Sequence, residues 1–192
     1  MFVLFFIGLL QTAQATTEAC SVDLWVTDPD PKGLNIRATP IGSAKVIGSL
    51  PNRTEFTAIN AKNGWIQFKN PIAFQPEIGV EWVPITKGPQ TGWLHGGFVK
   101  TAFRYHWVLG EDGRGEGGQF TVFSEPSEQA TPVATWKHSE DGSPVAHIPA
   151  LQKVLACKGG WLKVDLVDGK EKAYTGWIRP ENQCPSQVTT CP

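Results

Sequence analysis

Histidine is the first residue type to consider for chemistry in this chain, because imidazole can act as a general base or as a metal ligand. The four histidines are His95, His106, His138 and His147. No two of them have the i, i+4 spacing that places two ligands on one helix face, and no carboxylate cluster lies beside them. We therefore predict no metal site and no cofactor.

Two other kinds of catalysis lack a usable arrangement of residues. Cysteine-peptidase chemistry requires a free thiol within a dedicated domain, and the repeated strands of this chain leave no room for one. Glu and Asp residues are scattered through the predicted loops, whereas glycoside cleavage requires two of them to flank one bond. We predict no catalytic residue. A hydrolase stays as a further hypothesis for the function, beside two binding functions.

A glycine-rich segment has the spacing of a nucleotide-binding loop without its context. Gly113, Gly115 and Gly118 match G-x-G-x-x-G, which binds a dinucleotide when it lies between a strand and a helix. Residues 120–123 (Phe-Thr-Val-Phe) favour a second strand after it instead of a helix. We interpret the segment as a loop.

The charge and composition limit both the partner and the fold. The net charge is −1, the pI is about 6.4 and no run of Lys or Arg occurs, so a nucleic-acid partner is not expected. The 20 glycines and 15 prolines indicate frequent turns and short strands, and a hydrophobic fraction of 41% can supply real cores. These features favour an all-β fold.

The N-terminus and the cysteines indicate export. An apolar stretch at residues 2–10 precedes Ala13-Gln14-Ala15, which predicts a signal peptide cleaved after Ala15. No Lys or Arg precedes the stretch, and it is shorter than the roughly 20 residues of a membrane span. We expect a mature chain that begins at Thr16, without a stable membrane span, in the periplasm or outside the cell.

Four cysteines remain in the predicted mature chain: Cys20, Cys157, Cys184 and Cys191. An even number in an exported protein predicts two disulfides, and the absence of a C-x-x-C spacing argues against zinc. Three pairings can join four cysteines. We favour Cys157 with Cys184, which closes a loop of about 27 residues in the C-terminal half, and Cys20 with Cys191, which ties the chain ends together.

An internal repeat covers almost the whole mature chain. The corresponding segments, first copy then second, are 24–26 with 106–108, 34–40 with 120–126, 46–51 with 145–149, 63–66 with 159–162, and 91–94 with 175–178. The separations change along the chain, as expected for a duplication whose loops vary in length. Short runs of alternating apolar residues predict strands, and Asp168-Gly169 predicts a hairpin turn.

The first copy resembles the bacterial SH3-like domain. The resemblance rests on the segments Leu-Asn-Ile-Arg-Ala-Thr-Pro (34–40), Val-Ile-Gly-Ser-Leu (46–50), Asn-Gly-Trp (63–65) and Thr-Gly-Trp-Leu (91–94). It covers about residues 20–100 well and the second copy more loosely, since Phe123 replaces Arg37. It implies a five-stranded barrel that binds cell wall or peptide. We therefore expect two tandem SH3-like five-stranded β-barrels, at 16–101 and 102–192, the second with a C-terminal tail.

The recurrent tryptophans are expected to mark the fold more than the site. Trp65, Trp161, Trp93 and Trp177 occupy matching places in the two copies, and buried aromatic residues dominate the core area of small domains. We interpret them as core residues; stacking platforms for sugar or peptide are the alternative.

Aromatic residues other than the four recurrent tryptophans are our candidates for ligand binding. They are Phe74 and Trp82 in the long proline-rich hairpin of the first copy, Trp136 in an insertion of the second, and Trp25, Tyr105 and His106 beside two turn-rich loops. Contact between the two barrels is the alternative role for these side chains.

We expect a non-catalytic protein of the bacterial envelope. The favoured partner is peptidoglycan, through its peptide or its sugars. The alternative is an interaction or inhibitor module that docks on a periplasmic enzyme or secretion component.

Overall fold

The computed structural model describes residues 19–75, 81–109, 115–137 and 148–184. Within these residues every regular element is a β-strand or a 3₁₀ helix of three residues, so the predicted all-β class is confirmed. The predicted signal peptide, His138, His147 and Cys191 lie outside the described residues. In the same described part of the chain, no helix is long and apolar enough to cross a membrane.

The first sheet contains eight strands. They are β1 (Val22–Val26), β2 (Leu34–Arg37), β3 (Val46–Leu50), β4 (Glu55–Lys62), β5 (Trp65–Gln75), β6 (Glu81–Pro84), β7 (Gly92–His95) and β8 (Val99–Lys100). The strand order is β3-β2-β7-β5-β4-β1-β8, and β6 pairs with β5. A 3₁₀ helix, Gly96–Phe98, connects β7 to β8.

The second sheet contains six strands, and a separate pair of short strands closes the described chain. The strands are β9 (Ala102–Phe103), β10 (His106–Leu109), β11 (Gly115–Phe123), β12 (Pro132–Lys137), β13 (Ala150–Lys158), β14 (Trp161–Val167), β15 (Ala173–Ile178) and β16 (Gln183–Cys184). The order is β10-β11-β15-β14-β13 with β12 on β11, and β9 pairs with β16. A 3₁₀ helix, Pro180–Asn182, precedes β16.

The second sheet repeats the strand pairing of the first. The order β3-β2-β7-β5-β4 reappears as β12-β11-β15-β14-β13. Leu34 pairs with Leu50 at the start of β2, and Phe120 pairs with Trp136 at the corresponding place in β11. The register shifts of the β4–β5 pair recur at corresponding residues of the β13–β14 pair.

This register corrects two parts of the predicted alignment. The counterpart of β3 is β12, and not segment 145–149, because it is β12 that pairs with β11. Trp136 therefore lies on a regular strand and not in an insertion. In addition, β1 pairs with β4 and β8 whereas β10 pairs with β11, so Trp25 and Trp107 are not counterparts. Short apolar segments look alike in sequence, and hydrogen-bond register distinguishes them.

The core contradicts the prediction that the recurrent tryptophans are buried. The fully buried side chains include Ile66, Phe68 and Leu94 in the first sheet and Leu162 and Ile178 in the second. Successive residues of a strand point to opposite faces, so the tryptophans next to these residues lie on the outer face. Trp65, Trp93, Trp161 and Trp177 are all half-buried.

Strand β13 of the second sheet lies against the first sheet. The amide of Gly64 donates to the carbonyl of Leu155 at 3.1 Å. Lys100 donates from Nζ to the carbonyl of Leu151, and burial lowers the pKa of its ammonium group. Gly96 packs so closely on the carbonyl of Val154 that a Cβ would overlap it.

The disulfide in this region differs from the predicted pairing. Cys20 is bonded to Cys157, with the two Cα atoms 5.4 Å apart and a sequence separation of 137, so the pairings Cys157 with Cys184 and Cys20 with Cys191 are wrong. The N-terminal segment runs beside the end of β13, where the Ser21 amide donates to the Gly159 carbonyl. Cys184 is also disulfide-bonded.

Candidate functional site

Trp65 is the centre of a cluster on the outer face of β2, β5 and β7. In the β5–β7 pair Trp65 lies directly opposite His95, and residues opposite each other in antiparallel strands bring their side chains into contact. The two ring centroids are 5.2 Å apart with an interplanar angle of 80°. This is the edge-to-face geometry that aromatic rings prefer.

Arg37 places a positive charge beside the indole. Its Cζ lies 6.0 Å from the centroid of the Trp65 ring, within the range of a cation–π interaction. One terminal nitrogen donates to the carbonyl of Ala44 at 2.7 Å, which holds the side chain against the turn that connects β2 to β3. The guanidinium is therefore positioned before any ligand arrives.

His95 closes another side of the cluster and caps the turn that follows it. Its Nδ1 accepts from the Gly97 amide at 3.3 Å, so the proton of the neutral ring is assigned to Nε2. The Phe98 ring, 41% exposed, lies 5.6 Å away between centroids. Burial, and then the charge of Lys153 on β13, hold the pKa of His95 below its ordinary value. The ring is consequently neutral at pH 7.

These side chains border an open pocket of about 360 Å³. Its lining residues come from the outer face and from the loops beside it: Asp28, Leu34, Asn35, Arg37, Gly42, Trp65, His95 and Phe98. Asp28 contributes a carboxylate, Arg37 contributes a guanidinium, and Trp65 and Phe98 contribute aromatic surface. Such a pocket suits a short ligand that carries apolar groups and charges of both signs.

Among the described lining residues of the pocket beside Trp65, none is a predicted binding residue. Trp25 lines a different pocket of about 480 Å³ at the junction of the sheets, together with Phe103 and Leu151. Phe74 and Trp82 are paired residues in the β5–β6 hairpin, and their side chains lie outside the description.

The other three candidates belong to the C-terminal half. Tyr105 packs against the core, and burial raises the pKa of its hydroxyl. Trp136 also packs on the core, with its ring centroid 5.8 Å from that of Phe120 and 5.0 Å from that of Tyr174. His106 lies on β10 opposite Gln119. Ligand binding by these residues stays a prediction.

Most of the pocket beside Trp65, named here the Trp65 pocket, was not predicted from the sequence. Arg37 is predicted only as a difference between the copies, and no prediction concerns Asp28 or Phe98. One signal was available: Ile66 and Phe68 must face the core, so alternation places Trp65 on the opposite face. The contribution of Phe98 could not be read in this way, because it lies in a 3₁₀ helix.

The comparison with protein families supports the resemblance inferred from the first copy. Residues 32–100 match the family model described as bacterial SH3 domain. This range covers β2 to β8 and all lining residues of the Trp65 pocket except Asp28. The first sheet is therefore similar to a bacterial SH3 domain over these residues. The comparison with curated proteins gives no match for this chain.

Proposed function

We propose that this protein is a non-catalytic binding protein of the bacterial envelope, and that the Trp65 pocket holds a peptide of the cell wall. The observation that carries the proposal is the composition of the pocket, which is lined by a guanidinium, a carboxylate and aromatic rings. Bacterial SH3 domains are commonly modules that bind the cell wall or peptides, which supports the same class of ligand.

The stem peptide of peptidoglycan has the matching chemistry. Its carboxylates can pair with Arg37, because a guanidinium recognises a carboxylate through two parallel hydrogen bonds. Its amino groups can pair with Asp28, and its aliphatic side chains can pack on the Trp65 ring. His95 contributes a neutral wall, since its Nδ1 already accepts from Gly97.

We also propose that the chain consists of two SH3-like units, residues 16–101 and 102–192. The support is the repeated strand order, together with register shifts at corresponding residues of the two sheets. Export is the third part of the proposal. It is supported by the disulfide between Cys20 and Cys157, since such bonds persist in oxidising compartments.

Co-sedimentation with purified peptidoglycan tests the proposal. The wild-type protein should pellet with the polymer, and Trp65→Ala should raise the apparent Kd by roughly tenfold, as truncation of a central aromatic anchor does. Val133→Ala, which changes an exposed strand residue of the second sheet, is the control and should bind as the wild type does. Retention of full affinity by folded Trp65→Ala protein would contradict the proposal.

A protein partner is the second candidate function. Its support is an apolar edge of the first sheet, where Ile41, Val46 and Ile47 are 55%, 43% and 40% exposed. Val46 and Ile47 belong to β3, at the end of the strand order, and an edge strand can accept another chain. If this edge is the recognition surface, Ile47→Lys should abolish capture of the partner and leave sedimentation with peptidoglycan unchanged.

A further inference from the structure

We propose that the second sheet carries its own site for a carboxylate group, built around Trp161 and Arg179. The inference rests on the proposed function for the class of ligand, a wall peptide, and adds a site with a different charge. Its basis is a comparison of the outer faces of the two sheets. The strands of the two faces pair in the same register, but the cationic and aromatic side chains stand at different positions.

Trp161 occupies the place of Trp65. Each residue begins the second strand of a hairpin, where Lys158 pairs with Trp161 as Lys62 pairs with Trp65. On the next strand, Leu162 pairs with Ile178 as Ile66 pairs with Leu94. Arg179 follows Ile178, and so it stands where His95 stands in the first sheet.

The aromatic and cationic positions around this tryptophan have changed places. Phe123 replaces Arg37, and its ring centroid lies 5.6 Å from that of Trp161 at an interplanar angle of 81°. Arg179 supplies the cation instead, with its Cζ 6.0 Å from the centroid of the Phe123 ring. The second face thus keeps a tryptophan and a guanidinium, each of which lies beside the ring of Phe123.

A buried amide holds Arg179 in position. The Nε of Arg179 donates to Oδ1 of Asn182 at 3.0 Å, and Asn182 is fully buried. The amide nitrogen of Asn182 donates to the carbonyls of Arg104 and Gln119, at 2.9 and 3.0 Å. Because Nε is used in this way, a carboxylate would meet the terminal nitrogens of the guanidinium. In the first sheet, Phe98 occupies the place that corresponds to Asn182.

A second cation gives this face a stronger preference for anions. The Nζ of Lys163 lies 6.0 Å from the centroid of the Trp177 ring, its neighbour across β14 and β15. At the same place in the first sheet, neutral Gln67 lies opposite Trp93. Since His95 is neutral there too, the second face has two cations, Arg179 and Lys163, where the first has one, Arg37. A carboxylate is the group that the second face fits best.

The test uses the indole ¹H–¹⁵N signals of the full mature protein, assigned by substitution of single tryptophans. The probe is N-acetyl-D-alanyl-D-alanine with its free carboxylate, and its C-terminal amide is the matched control. When the acid is added, the chemical shift of the Trp161 indole should change along a saturable curve. With the amide, the apparent Kd should be at least about tenfold higher, because the charged hydrogen bonds are lost.

Two variants distinguish the effect of the guanidinium on binding from its effect on folding. Arg179→Gln should raise the Kd measured at Trp161 by roughly tenfold and leave the titration curve of Trp65 unchanged. The Kd of Arg179→Lys should lie between that of Arg179→Gln and that of the wild type. Unmoved signals of the other tryptophans show that each variant is folded. A Trp161 signal that does not saturate, or that responds equally to acid and amide, overturns the inference.

The two proposals fail in different ways. If Trp65 responds and Trp161 does not, the inference is overturned and the proposed function stands. If the Trp161 signal responds, its Kd rises in Arg179→Gln and the Trp65 signal does not respond, the second site stands. In that case the pocket of the first sheet is not the binding site.

Discussion

The outer faces around Trp65 and Trp161 have the same strand register and different chemistry. Around Trp65, an open pocket combines the carboxylate of Asp28 with a single guanidinium. Around Trp161, Phe123 is only 6% exposed, and the cation, Arg179, follows β15 instead of standing on the strand that corresponds to β2. The backbone hydrogen bonds constrain where side chains point but not what they are. Exposed positions can therefore diverge while the fold is retained.

The largest expected effect concerns the bond that holds the two sheets together. Replacing both Cys20 and Cys157 by Ser should lower the free energy of unfolding by about 4 kcal/mol, because the disulfide closes a long loop in the unfolded chain. Urea denaturation measures this loss. Peptide mapping without reduction should recover a Cys20–Cys157 peptide, and a Cys157–Cys184 peptide would contradict the pairing.

Gly96→Ala should have the next largest effect. A Cβ there overlaps the carbonyl oxygen of Val154 and also approaches that of Gly64 at 2.8 Å, so β13 must move away from the first sheet at a cost of about 3 kcal/mol. Gly169→Ala is the control, since no heavy atom lies within 4 Å of its added Cβ. Equal melting temperatures for the two variants would show that the sheets do not depend on this contact.

The hairpin of β5 and β6 is a further difference between the two halves, since no strand of the described second sheet corresponds to β6. If the hairpin extends the recognition surface, Trp82→Ala should weaken binding to peptidoglycan by about 1 kcal/mol, as aromatic interface residues do, with little change in melting temperature. A lower melting temperature with unchanged affinity per folded molecule would instead assign Trp82 to internal packing.

The smallest effect is a dependence on pH, confined to the first face. In the folded protein the pKa of His95 lies below the pKa of the same residue in the unfolded chain. At pH values between these two pKa values, the unfolded state therefore binds more protons than the folded state. Stability is therefore highest above pH 6.5 and falls as the pH drops toward the folded pKa. Lys153→Gln should raise the pKa of His95, measured by NMR titration of its imidazole.

The Arg179 site provides the control for this titration. A guanidinium does not lose its proton in this range, so probe binding at Trp161 should not follow the His95 curve. An unchanged His95 pKa in Lys153→Gln would show that burial alone lowers it.

Local sequence patterns predicted the strands more accurately than the site. The Asp168-Gly169 signal predicted a hairpin, and Asp168 does stabilise that turn by accepting from the amides of Lys170 and Lys172. The candidate site was less well predicted. The predicted binding residues are aromatic residues other than the recurrent tryptophans, whereas the pocket is lined by the recurrent Trp65 and by Arg37.

The sequence by itself determined the all-β class, the similarity of residues 32–100 to a bacterial SH3 domain and the hairpin turn at Asp168-Gly169. These properties depend on alternation and turns, which are local in the chain. Tertiary structure alone decided that Cys20 meets Cys157 and that Lys153 lies beside the Trp65 cluster. Both contacts join residues far apart in sequence, and the packing of β13 on the first sheet creates them.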